Sequence, residues 1–316
     1  ITVMKLFHSL LYPLLGGLFC LSCSDDEQDT GTKQPTTAGE VTFGVDLTGF
    51  STRVTQDGSS WNDGDKIGTY VLDMKTLEPV TEAANVPYVC SVSFTSTTPL
   101  KVQNDGTPVK FVAYYPYNAD VRNFNYPVQL AAQERGSTAC DLLYAATKEE
   151  YTYSPENEPH ISLNFTHRLA KVILKFVNME KEPLEVSDVR IEGMQTAASF
   201  NIQTDVLTVD ESSVATINPY HNATTGFYEA IILPSALTDS YKVSFVLDDR
   251  EKEWIFTNLD IALPQFHKGY SYTFALYIDD SGFVEMGRLE NVEGGNSSAP
   301  WEDGSSEDGT AEGDKT

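Results

Sequence analysis

His167-Arg168-Leu169-Ala170-Lys171-Val172-Ile173-Leu174-Lys175-Phe176 is the stretch that decides the fold. Drawn out as an extended chain, it puts Ala170, Val172, Leu174 and Phe176 on one face and Lys171 and Lys175 on the other. That two-residue period is the mark of a strand with one side buried. Moving outward, the same period runs through Val41-Phe43-Val45-Leu47, Tyr241-Val243-Phe245-Leu247 and Tyr270-Tyr272-Phe274-Leu276-Ile278, the last set against Ser271, Thr273 and Ala275. In another run Tyr88, Cys90, Val92 and Phe94 share a face opposite Ser91, Ser93 and Thr95. Turn-forming pairs separate such runs: Asp57-Gly58, Asp63-Gly64, Asn104-Asp105-Gly106 and Lys268-Gly269. No window sustains an apolar stripe of helical period beyond about two turns. With 16 Tyr, 16 Phe and many Val and Thr, the composition agrees. The fold class predicted is all-β, as two sandwiches with Greek-key connections.

The ends set the compartment. Met4-Lys5 precedes an apolar run, Leu6 to Leu21, interrupted by His8, Pro13, Gly16 and Gly17 and too short to span a bilayer. It reads as a secretory signal, with Ile1 to Val3 ahead of the true start. Its end, Leu21-Ser22-Cys23 followed by Ser24-Asp25-Asp26-Glu27, resembles a bacterial lipoprotein signal, which makes Cys23 the acylated residue and anchors the chain in the outer membrane. The division expected is a signal at 1–22, an acidic tether at 23–40, sandwich domains at 41–166 and 167–288, and an acidic Gly/Ser-rich tail at 289–316. Outside the signal and Cys23, only Cys90 and Cys140 remain. A buried thiol at Cys90 and a bridge between the two are both open.

Lys and Arg total 21 against 46 Asp and Glu, a net charge of −25, so nucleic acid is excluded as a partner. No paired-histidine zinc helix, nucleophile elbow, phosphate-binding glycine loop or EF-hand loop is present. His160, His167, His221 and His267 are scattered, and no catalytic residue, metal or cofactor is assigned. Asp57-Gly58-Ser59-Ser60-Trp61-Asn62-Asp63-Gly64-Asp65 offers oxygens for calcium, but in no fixed coordination order, and its Asp-Gly pairs are explained as turns. Trp61, Trp254 and Trp301 are the candidates for stacking on sugar rings; the competing place for Trp61 and Trp254 is a core.

Several short motifs, in order, resemble the fimbrillin family. They are Thr52-Arg53-Val54-Thr55, the segment from Trp61-Asn62-Asp63-Gly64-Asp65 to Tyr70, Ala113-Tyr114-Tyr115-Pro116-Tyr117, Asp141-Leu142-Leu143-Tyr144-Ala145, His167 to Val172, and Phe266-His267-Lys268-Gly269-Tyr270-Ser271-Tyr272. The resemblance implies two transthyretin-like sandwiches and a fimbrial (pilus) subunit rather than an enzyme. It also implies assembly by strand exchange: an N-terminal strand is cut away and a neighbouring subunit's C-terminal strand fills the groove. A cut between Arg53 and Val54 would remove the strand carrying Val41, Phe43, Val45 and Leu47. Stripping four such side chains costs roughly 6 to 12 kcal/mol, close to the about 5 to 15 kcal/mol that holds a domain together. An emptied groove therefore needs refilling. Residues 289–316 hold only Leu289, Val292 and Trp301 as large apolar groups and make a poor donor, which favours a tip or accessory subunit over a stalk subunit. Partners implied are other fimbrial subunits and a host or bacterial surface receptor. The competing class is a surface lipoprotein that binds glycans as a monomer.

Overall fold

The computed structural model describes residues 38–44, 61–80, 84–236, 241–247, 252–257, 265–278, 284–289 and 302–303. Among them are strands throughout, one 3-10 turn at Ser137–Cys140 and no α-helix. The first half of the chain builds an eight-stranded sheet. In spatial order its strands are His160–Ser162, Thr42–Gly44, Phe94–Thr95, Val86–Cys90, Lys66–Asp73, Val109–Tyr115, Leu143–Ala146 and Thr166–His167. The second half builds a six-stranded sheet with Tyr220–Asn222, Phe227–Ile232, Ala170–Asn178, Tyr270–Ile278 and Val284–Leu289 side by side, and Glu302–Asp303 also paired to Tyr270–Ile278. Opposite it lies a three-stranded sheet of Val186–Glu192, Lys242–Leu247 and Lys252–Thr257.

Alternation decides which side chains meet. Ala170, Val172, Leu174 and Phe176 are buried and form one core with Tyr272, Phe274, Val243, Phe245 and Leu247, drawn from both sheets of the second half. Across the ladder, Lys171 pairs with Glu229 at 2.7 Å, and Lys175 lies over the Phe227 ring. Asn222 donates to the other Glu229 oxygen at 2.8 Å, so the carboxylate is held from two sides in a buried position. The first half holds its own core, the first core: Val41, Phe43, Ile67, Val71, Tyr88, Phe94, Leu100 and Phe111 among others.

A third core is made by both halves together. Tyr70, Leu72, Val112, Tyr114 and Tyr144, on the other face of the eight-stranded sheet, pack with Ala198, Phe200, Ile202, Ile231 and Leu233. Residues 36–316 accordingly form one compact unit. Backbone pairing also joins the halves: Asn125–Gln129 runs antiparallel to Ala197–Asn201, in register from Ala197↔Gln129 to Asn201↔Asn125. Gln133 adds a side-chain version of the same bond. Its amide nitrogen donates to the Leu130 and Ile231 carbonyls (2.8 and 2.6 Å), and its oxygen accepts from the Ile231 amide at 2.8 Å. The side chain is 1% exposed and is satisfied at both ends.

The sequence reading needs correction at four points. Val92 does not share the buried face of Tyr88, Cys90 and Phe94; it is 94% exposed. The strand stops at Cys90 and the chain reverses through Ser91–Ser93, bringing Phe94 back opposite Cys90. Tyr270–Ile278 is not half-buried but covered on both faces over Tyr272–Leu276, Thr273 and Ala275 included, because it is a central strand. His167 does not open the second half's long strand; it pairs with Leu143 in the first sheet, and the long strand begins at Ala170. Finally, Ala38–Glu40, assigned to the tether, is a strand, ordered by main-chain pairing that needs no apolar side chain. Cys90 and Cys140 are both free thiols. The turns at Gly64 and Gly106 fall as expected, with φ of 92° and 78°.

The buried polar groups of the two cores make two outcomes measurable. Gln133→Ala leaves the Ile231 amide and two carbonyls unpaired inside it and should cost about 2 to 4 kcal/mol in chemical denaturation. Burial holds the Tyr70, Tyr88 and Tyr144 phenols up at about 12 and raises those of Tyr114 and Tyr126 as well. A phenol kept neutral in the fold but free to ionise in the unfolded chain contributes its full stability below the ordinary value of 10.0. Stability measured against pH should therefore be level up to about 10 and fall steadily toward 12.

Candidate functional site: the seat of the leading strand

The candidate site is the groove that holds residues 38–44, which change partners halfway along. Ala38–Glu40 pairs antiparallel with Lys101–Gln103, from Ala38↔Gln103 to Glu40↔Lys101. Val41 then donates its amide to the Leu100 carbonyl at 2.8 Å, and Thr42 donates to Pro159 O at 2.9 Å. From there Thr42–Gly44 runs parallel to His160–Ser162, with Phe43 opposite Phe94 on the other side. The segment thus belongs to one ladder before Val41 and to another after it. This corner carries both inward side chains into the first core.

Val41 is 0% exposed and Phe43 is 1% exposed. The Phe43 ring meets Tyr88 edge-on at 4.8 Å and Phe111 at 6.1 Å between centroids. Beneath the corner sits the Tyr88 hydroxyl. It donates to the Val41 carbonyl and accepts from the Leu100 amide, each at 2.9 Å. It therefore bonds the leading segment's main chain as well as packing against it. The outward contacts are weak by comparison: Glu40 and Lys101 form an ion pair at 3.4 Å with both side chains more than half exposed, an arrangement that contributes at most about 1 kcal/mol.

Two glycines in the segment lie under other groups. A methyl group at Gly39 would run into the Tyr153 ring and come within 3.0 Å of Pro159 Cδ. One at Gly44 would lie 2.6 Å from His160 Nε2. His160 is exposed, and Thr42 Oγ1 lies 3.1 Å from its Nδ1.

Of the residues singled out from sequence, the structure brings Val41 and Phe43 together in this groove. Val45, Leu47, Cys23, Arg53, Val54 and Trp301 lie outside the described residues. Trp61 is half-buried against the same core, edge-on to Phe94, Tyr115 and Phe165 at 5.0 to 5.3 Å. Its ring is engaged by protein on three sides. Trp254 stands opposite Phe245 in the pairing of Lys252–Thr257 with Lys242–Leu247. Among the described residues no group of three or more His, Cys, Asp or Glu is placed to hold a metal. His167 bonds Asp141 at 2.9 Å, His221 stacks on Tyr228, and His267 lies beside Gln265, so the four histidines do not converge. Sequence reasoning missed Tyr88. Its place on the buried face was legible, but a hydroxyl's partners across a strand crossing are not.

These features define an all-β protein in which a short segment bonded to two ladders closes a sandwich core. The fimbrillin-like profile matches residues 52–301, and the chain belongs to that family. Membership supports a fimbrial, cell-surface role and is structural rather than enzymatic in its bearing. Among solved structures, a candidate cell adhesion protein from Bacteroides uniformis is similar at 22% identity and a TM-score of 0.64, over 79% of this chain and 96% of that one. Another, from Bacteroides ovatus, is similar at 16% identity and a TM-score of 0.59, over 82% and 100%. At such identities they bear on the fold. No curated protein matches the chain in sequence.

Phe43→Ala should cost about 3 to 5 kcal/mol in chemical denaturation, and Tyr88→Phe about 1 to 3 kcal/mol, since it orphans a buried carbonyl and amide. Lys101→Ala should change stability by less than about 1 kcal/mol. Equal effects of all three would mean that the segment is not seated through its inward face.

Proposed function

We propose that this chain is a surface-exposed fimbrial subunit, anchored through Cys23 in the outer membrane. After cleavage between Arg53 and Val54 it loses its leading strand and takes a strand from a neighbouring subunit into the vacated groove. The observation that carries this reading is the seat of Val41 and Phe43: both are fully inside the first core, yet both belong to a short segment, residues 38–44, bonded to two ladders in turn. Removing these two alone strips about 3 to 6 kcal/mol of apolar burial and frees the Leu100 and Pro159 carbonyls and the Tyr88 hydroxyl. A groove with both apolar walls and unpaired backbone is what β-strand addition fills. Such a groove also keeps the uncut chain monomeric, because its own strand occupies the site. The partners are then other fimbrial subunits, and a surface receptor where the fibre mediates adhesion. Residues 289–316 are a poor donor, so a chain with no other donor would end a fibre at its tip.

Arg53→Ala tests the cleavage. Terminal sequencing of wild-type protein from intact cells should find Val54 first in the polymerising form. The variant should keep modified Cys23 as its first residue and form no fibres. Normal processing and assembly of that variant would remove the cleavage step from this account.

A further inference from the structure

The second sandwich is left open along one flank. There Tyr220–Asn222, at the margin of the six-stranded sheet, lies beside Val186–Glu192, at the margin of the three-stranded one. One end of the gap is shut by Ile191 and Ile217, which exchange backbone bonds at 2.9 and 2.8 Å. Farther along, the Tyr228 hydroxyl crosses the gap and donates to the Val186 carbonyl at 2.7 Å. Two cavities of about 520 and 230 Å³ remain, with Tyr228 as their shared wall.

The larger cavity is polar. Glu134, Asp188, Arg190 and Asn218 line it, and Asn218 donates to Glu134 Oε1 at 2.8 Å, which sets their donor and acceptor atoms in one row. Asp188 reaches the cavity through a bulge: the pairing with Lys242–Leu247 slips between Ser187 and Arg190, and Asp188 has a φ of 49°. A bulge re-aims a side chain. Here Asp188 is exposed at the flank while Val186 and Val189 are buried. The smaller cavity is lined mainly by apolar groups, Phe176 and Leu184 among them. On its rim the His221 ring lies nearly flat on that of Tyr228, 4.6 Å away and tilted by 18°. His221 is exposed, with Tyr228 behind it.

We infer that this flank is a binding site for a short neutral glycan. A sugar hydroxyl both donates and accepts, and adjacent hydroxyls on one ring match planar groups that offer two atoms side by side. A carboxylate accepts two bonds, a guanidinium gives two, and a carboxamide makes one of each. The larger cavity holds all three kinds of group. The C–H face of a pyranose is apolar and stacks on an aromatic plate, which His221 and Tyr228 supply at the smaller cavity. The larger volume falls within the range of small-ligand sites. Charge narrows the class: Glu134, Asp188 and Glu185 line the two cavities against Arg190 and His221, on a chain of net charge −25. Sialylated, sulfated and phosphorylated groups are repelled there. The inference rests on the surface-receptor part of the reading above but not on strand removal, since the flank belongs to the second half and the groove to the first.

The test uses the uncut full-length chain and an immobilised panel of neutral oligosaccharides with their sialylated counterparts, together with a mucin before and after enzymatic removal of its glycans. Wild-type protein should bind members of the neutral set and the intact mucin, and the sialylated counterparts at least about tenfold more weakly. Asp188→Gly removes the carboxylate at a backbone angle that suits glycine, and His221→Ala changes an exposed position. Each should weaken binding at least about tenfold. Lys66→Ala, on a strand of the first half, should leave binding unchanged. Failure to bind any neutral member or the mucin, or full binding by both flank variants, overturns the proposal. A stripped mucin bound as well as the intact one makes the flank a protein-binding surface instead, and equal binding of sialylated chains overturns the neutral class. None of these results touches strand removal, which Arg53→Ala reads separately.

Discussion

The first core closes only because Val41 and Phe43 fill it from a segment that is bonded to two ladders in turn. Everything at that end of the molecule depends on this corner. The bonds of Val41 to Leu100 and of Thr42 to Pro159 fix where the chain turns, and the turn aims both side chains inward. Tyr88 makes the corner cooperative. Its ring is a wall of the Phe43 socket and its hydroxyl joins the leading segment to the strand beyond. Apolar burial and backbone pairing are therefore lost together if the segment leaves, and restored together by any strand that fits.

The rest of the fold keeps that event local. The eight-stranded sheet is covered on its second face by residues from the other half of the chain, with Tyr70, Tyr114 and Tyr144 against Phe200, Ile231 and Leu233. This second contact does not run through the first core, because the two cores lie on opposite sides of the same strands. Lys66–Asp73 shows this most directly: Ile67 and Val71 face the groove's core, Tyr70 and Leu72 face the shared one.

Much of this was legible in the sequence, and the limits are instructive. The strand period located Ala170–Asn178, Lys242–Leu247 and Tyr270–Ile278 and the inward residues of each, because alternation is local and survives any tertiary arrangement. Phe43 and Val41 were placed inward on the same ground. Period alone could not reveal that Tyr270–Ile278 is central, since a small or hydroxylated residue such as Ala275 or Thr273 suits either a wet face or a covered one. Nor could it see the reversal at Ser91–Ser93, where Val92 keeps the alternation but sits at a hairpin tip. Gln133 was invisible as well. A polar residue reads as surface until the carbonyl and amide it completes, ninety-eight positions away in sequence, are brought beside it. The site was half legible: its apolar contents were plain, while the hydroxyl that holds its backbone was not.

The pairing of Asn125–Gln129 with Ala197–Asn201, together with the Gln133 clasp on Ile231, has a mechanical meaning. In a filament under tension, load passing between the two sheets is shared by this seam, the shared core and the short covalent link from Thr166–His167 to Ala170–Asn178. Ladder bonds that lie side by side yield together when loaded in shear, so resistance at the seam would be set by a rupture rate more than by a sum of single bonds. Two halves tied in this way would stretch as a single link of the chain.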